Sequence, residues 1–123
     1  GCKYYVPYKK MDVSEGIDII HKAGGIAVLA HPKLLRYNHE EFTELLTRYK
    51  AMGLDGVEVY YPCHYAEHVN LFLELSKKLK LFATCGGDYH NDFDKTKNNM
   101  GFKTSLPGIK ETLELLIEGA AKK

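Results

Sequence analysis

His31, Asp88 and His90 are the residues of this chain best suited to chemistry, because each stands just beyond a short apolar run. His31-Pro32 follows Ile26-Ala27-Val28-Leu29-Ala30, and Asp88-Tyr89-His90 follows Leu81-Phe82-Ala83-Thr84-Cys85 across Gly86-Gly87. A third run, Gly56-Val57-Glu58-Val59-Tyr60, ends before Tyr61-Pro62-Cys63-His64. In parallel α/β proteins, ligands gather beyond the C-terminal ends of the strands. Imidazole and carboxylate donors converging there make a metal site, and this donor set suits Zn, Mn or Fe better than Ca or Mg. Each of the three taken alone is as readily an isolated polar loop residue. Three at equivalent strand ends favour the joint reading. Asp88 and His90 are two apart, so on extended backbone both side chains leave from the same face. Pro32 removes a donor and fixes the turn behind His31.

Other residues near these strand ends have two readings each. His64 can bind a substrate phosphate or give a proton to a leaving group; equally, it can be a solvated residue at a helix start. Glu58 lies inside a buried strand, where a carboxylate needs a partner. It either supports the metal residues from behind or pairs with a lysine. Lys33 and Arg36 follow His31 and can hold an anionic substrate, or simply be solvated loop charges. His21, His39 and His68 fall on helices and read as surface residues. Tyr4, Tyr5 and Tyr8 read as an aromatic segment packing on the domain.

These residues need elements to hold them. Residues 1–10 read as a connecting segment. A helix is expected from Asp12, an N-cap with Glu15 three residues on, with Val13, Ile17 and Ile20 inward and Gly24-Gly25 as its stop. The strand at 26–30 is apolar throughout, as in a parallel strand buried on both faces. A second helix follows the Asn38 cap, with Phe42, Leu45, Leu46, Tyr49 and Met52 inward and Gly53 at its end. Then come a strand at 56–60, a helix at 65–80 with Val69, Phe72, Leu73 and Leu79 inward, and a strand at 81–85. Residues 91–103 read as a long surface loop, and a last helix is expected over 109–119. The alternation of helix and strand predicts an α/β protein: a small parallel sheet or a segment of a barrel.

The chain has 123 residues and a formal net charge of +1, with acids and bases interleaved. That excludes a basic nucleic-acid arm and an acidic tail. No apolar run approaches the roughly 20 residues of a transmembrane helix, and no signal pattern opens the chain, so a cytoplasmic location is the expectation. Cys2, Cys63 and Cys85 are odd in number and widely spaced, which argues against a disulfide framework. Cys85 is expected to pack as a small hydrophobe. Cys63 reads as a bystander thiol, with a ligand or nucleophile as the alternative.

Three stretches resemble the PHP (polymerase and histidinol phosphatase) family. They are Gly24-Gly25-Ile26-Ala27-Val28-Leu29-Ala30-His31-Pro32, Gly53-Leu54-Asp55-Gly56-Val57-Glu58-Val59-Tyr60 and Gly86-Gly87-Asp88-Tyr89-His90. Tyr61-Pro62-Cys63-His64 and Tyr5-Val6-Pro7 fit its small metal-dependent phosphoesterases too. The resemblance implies a partial (βα)7-type barrel, about three parallel strands with flanking helices, residues 1–123 being the C-terminal part of such a domain. It implies His31, Asp88 and His90 as metal ligands, His64 in the substrate pocket, divalent metal ions as cofactor, and hydrolysis of a phosphorylated small molecule or nucleotide by a metal-activated water. The family's opening His-x-His motif does not precede these stretches. The expectation is therefore an incomplete catalytic domain, or a chain that self-associates or joins a missing N-terminal half. The alternatives are a truncated module that binds metal or phosphorylated ligands without turnover, and an iron oxygenase built on two histidines and a carboxylate.

Overall fold

A computed structural model describes residues 10–90. Within them the chain runs α1 (Val13–Lys22), β1 (Val28–Leu29), a 3-10 turn (Pro32–Leu35), α2 (His39–Ala51), β2 (Gly56–Tyr60), α3 (Ala66–Leu79) and β3 (Phe82–Cys85). The three strands form one parallel sheet in the order β1-β2-β3. The connecting segment up to residue 9, the 91–103 loop and the 109–119 helix lie outside the described residues.

Local chemistry sets the helix ends. At α2, Asn38 Oδ1 accepts from Glu41 N at 3.0 Å while Glu41 Oε2 accepts from Asn38 N at 2.9 Å. This reciprocal pair satisfies two backbone donors that the helix leaves open. At α1, Asp12 caps through Ser14, its Oδ1 accepting from Ser14 N at 2.9 Å and Ser14 Oγ at 2.7 Å. The pairing with Glu15 expected there is not formed, because the serine hydroxyl takes the cap oxygen. Gly53 follows α2 at φ 103°, a left-handed conformation that a side chain would strain.

The core gathers on the face of β2 that carries Val57 and Val59. Val57 and Val59 are fully buried, and Leu46, Leu45 and Phe42 of α2 meet Phe72 and Leu75 of α3. The Phe42 and Phe72 rings lie 4.7 Å apart at 48°, an arrangement that aromatic quadrupoles favour. Burying each such side chain stabilises the fold by about 1.5–3 kcal/mol. Leu75 belongs to this core although the expected inner face of α3 omitted it. Val69, Leu73 and Leu79 are partly buried against it.

β1 departs most from expectation. Only Val28–Leu29 pair, and Val28 is 37% exposed. The strand is an edge with β2 on one side, so the apolar run is covered on one flank among the described residues. Val13 and Ile20 of α1 are exposed beside it, and only Ile17 of that helix is buried. Cys85 ends β3 in an exposed position and does not pack as a hydrophobe, since the strand leaves the core there.

Candidate functional site

Glu58 anchors the strand-end cluster. It points from the centre of β2 and is 8% exposed. Its Oε2 accepts the backbone N–H of His31 at 2.6 Å, which fixes the turn after β1. Its Oε1 faces Gly86, where a Cβ would collide with it. Glycine at that position therefore lets the end of β3 close onto the carboxylate. Burial pushes the Glu58 carboxyl above its usual range, and the bond from His31 N–H pulls the other way. Among the described residues its contacts are with the His31 turn and Gly86, not with a lysine.

His31 and Asp88 both adopt left-handed backbone, at φ 33° and 51°. Non-glycine residues held there are strained, and such strain concentrates at functional sites. His31 Nε2 lies 3.9 Å from Asp88 Oδ1, and His90 Nδ1 lies 3.7 Å from the same oxygen. The backbone at Asp88 is thus not extended, contrary to the spacing argument. The left-handed turn instead folds His90 back, and its Nδ1 donates to the Asp88 carbonyl at 2.8 Å. That leaves Nε2 of His90 as the acceptor nitrogen. A buried residue outside the expected set joins them: Tyr61, 6% exposed, reaches Asp88 Oδ2 with its hydroxyl at 3.4 Å. Its ring also lies 5.9 Å from His31 and 5.2 Å from His64.

Register supports this convergence. Between Glu58 and Tyr60 the pairing of β2 with β3 shifts, so Glu58 faces Thr84 while Tyr60 faces Cys85. Gly86 N then donates to Tyr60 O at 3.0 Å. A bulge of this kind re-aims side chains beyond a strand end.

His64 occupies a different position from a proton donor. Its Nδ1 lies 2.8 Å from the Val59 carbonyl and so carries the proton. Its Nε2 is buried with no hydrogen-bond partner. Burial lowers its pKa, opposed by the Val59 bond and aided by the charges of His68, Lys33 and His31. With Nδ1 engaged by the Val59 carbonyl, Nε2 carries the lone pair of the neutral ring. Lys33 and Arg36 wall a separate cleft. Lys33 Nζ donates to Cys63 O at 2.7 Å and lies 3.6 Å over the Tyr65 ring. Arg36 is exposed at φ 57°.

Two histidines read as surface residues have partners. His68 stacks on His64 at 6.2 Å. His21 Nε2 meets Asp55 Oδ2 at 2.7 Å, and the same oxygen accepts Ala27 N at 2.8 Å. This pair lies at the opposite end of the sheet and joins α1 to the starts of β1 and β2.

Whether this cluster fits a divalent cation turns on donor type and number. The types fit: two imidazoles approach one carboxylate, and Glu58 supports them from behind. The number falls short, because among the described residues no three His, Cys, Asp or Glu side chains are placed together to hold an ion. The residues therefore fit part of a metal site.

A parallel α/β unit with such donors at its strand ends is of the α/β class that keeps its chemistry on that face. Known proteins narrow the class. The chain is 33% identical over 94 residues to a phosphoribosyl 1,2-cyclic phosphate 1,2-diphosphodiesterase of Eggerthella lenta, covering 76% of this chain and 33% of that protein. It is 33% identical over 92 residues to a 5'-3' exoribonuclease of Haemophilus influenzae, covering 73% and 33%. A 3',5'-nucleoside bisphosphate phosphatase of Chromobacterium violaceum is 28% identical over 109 residues, covering 89% and 38%. Among solved structures, a protein proposed to be a metal-dependent phosphoesterase, from Bifidobacterium adolescentis, superposes with a TM-score of 0.70 at 27% identity, covering 95% of this chain and 40% of that one. An amidohydrolase of Chromobacterium violaceum shares the fold, with a TM-score of 0.66 at 24% identity, over 89% of this chain and 39% of its own. No family model matches the chain. The chain spans about a third of the length of the curated relatives it matches. The likeness to these relatives, beside the strand-end motifs, supports a PHP-type domain.

Proposed function

We propose that the chain forms part of a metal-dependent phosphoesterase that hydrolyses a phosphorylated small molecule or nucleotide. The carrying observation is the approach of His31 and His90 to one oxygen of Asp88, on backbone strained at both His31 and Asp88. His31, Asp88 and His90 would supply part of the ligand set of a divalent ion of the Zn, Mn or Fe kind. Such an ion polarises phosphoryl oxygens and lowers the pKa of a bound water. Glu58 fixes the His31 turn, and Tyr61 holds the far oxygen of Asp88. His64 holds its ring in place through Nδ1 and the Val59 carbonyl, with the Nε2 lone pair left over for a substrate group.

Part of the site is supplied from elsewhere, either by a further half of the domain or by a second copy. An apolar groove of about 240 Å³ beside β1, lined by Val13, Ile20, Val28 and Leu54 among others, supports this reading, since an uncovered apolar edge favours a neighbour. No helix among the described residues is long and apolar enough to cross a membrane. The unpaired Cys63 and Cys85 accord with a cytoplasmic location.

Phosphate release from a nucleoside monophosphate, with and without added Mn or Zn, tests the proposal. Metal-stimulated release that falls at least about tenfold in His31→Ala and Asp88→Asn is expected, the lower bound of what even outer partners of a metal cost. Release unaffected by either change contradicts it. The second reading, binding of metal or phosphorylated ligands without turnover, is favoured by the incomplete donor set. Metal binding without any release would select it.

A further inference from the structure

Nine large apolar side chains are exposed among the described residues, and they fall into two groups. Met11, Val13, Ile19, Ile20 and Val28 lie on α1 and the β1 edge. Leu34, Leu35, Tyr37 and Tyr65 lie around the 3-10 turn, close to the strand-end face. The second group is not explained by the uncovered sheet edge.

Tyr37, 50% exposed, stands where three clefts meet. One contains Glu41 and Glu44, and another contains Glu67. The third, of about 260 Å³, has no carboxylate among its described walls and instead carries Lys33, Arg36 and His68. Its floor is apolar, made by Phe42, Leu71 and Phe72. Phe42 and Phe72 are core residues in mutual contact, so the floor is rigid. The Lys33 ammonium is held by Cys63 O and Tyr65, and only one of its three donors is used by that carbonyl. His68 Nδ1 accepts from Tyr65 N at 3.3 Å, which leaves the other ring nitrogen as a donor. Left-handed backbone bounds the turn at both His31 and Arg36.

We propose that this cleft binds an aromatic ring carrying an anionic group, a phosphate or a carboxylate, independently of any metal. Lys33 and Arg36 on the wall select an anion, and the Glu67 carboxylate borders the cleft through His68, 3.7 Å from its Nδ1. The apolar floor selects a flat hydrophobic body, and a cavity of about 150 Å³ already accepts benzene. Inorganic phosphate alone uses the cations and wastes the floor.

Calorimetric titration of the chain in the presence of a chelator tests the site, with phenyl phosphate, benzoate and inorganic phosphate as probes. The aromatic probes are expected to bind at least about tenfold tighter than inorganic phosphate, and Arg36→Gln to weaken phenyl phosphate about tenfold, the worth of one charge-assisted bond. Leu71→Glu is expected to abolish binding of both aromatic probes with the melting temperature kept. Either order between phenyl phosphate and benzoate supports the site and names its anion. Equal affinity for phenyl phosphate and inorganic phosphate overturns it. So does binding that Asp88→Asn removes and Arg36→Gln leaves intact, because the probe then sits at the strand-end cluster. Failure of metal-dependent hydrolysis leaves this binding unaffected, so the two readings stand or fall separately.

Discussion

Asp88 has three neighbours of two chemistries: two imidazoles that approach Oδ1 and a phenol that reaches Oδ2. A carboxylate held in this way can turn one oxygen toward a cation while the other stays with the protein. His31, Asp88 and His90 were legible in the sequence because each follows an apolar run. Glu58 was legible because a carboxylate inside a buried strand needs a partner. Tyr61 was not, since a tyrosine after a strand is as readily exposed as buried, and only the packing against His31 and His64 decides it. The proton position on His64 was equally hidden, because it depends on the Val59 carbonyl. That residue gives a prediction. The unfolded chain protonates His64 near 6.5, and the folded chain protonates it at lower pH. Stability from this residue is therefore full above pH 6.5 and lost as pH falls through the folded value. Urea midpoints of the native chain relative to His64→Phe are expected to drop as pH is lowered below 6.5. A gap that does not change with pH removes the argument.

At the scale of elements, the caps and the apolar runs made the order of helices and strands readable. Asn38 caps α2 as expected, there in a reciprocal pair with Glu41, and β2 runs over Gly56–Tyr60 as expected. The length of β1 was not readable, because pairing depends on what lies beside the strand as well as on its own residues. The bulge in the pairing of β2 with β3 left no mark in the sequence either. The joint between α1 and the strand starts was missed because His21 and Asp55 lie 34 residues apart. Asp55 Oδ2 serves both His21 and Ala27 N, so Asp55→Ala removes these bonds and leaves a backbone donor to find water. Denaturant unfolding is expected to show a loss of about 1–3 kcal/mol. A loss well under that range shows that the helix is held by packing of Ile17 alone.

At the scale of the molecule, the described sheet has one apolar edge and a strand-end face with too few donors for a closed metal site. Both features have one explanation if a neighbouring part of a PHP-type barrel covers β1 and completes the donor set. The relatives, of which the chain spans about a third, accord with it. The central claim is that the strand-end residues hold a divalent ion. Titration of Mn and Zn into the native chain and into Asp88→Asn tests it most directly. The account predicts measurable binding by the native chain that weakens at least about tenfold in the variant. Equal binding by both chains, or no binding by either, contradicts it.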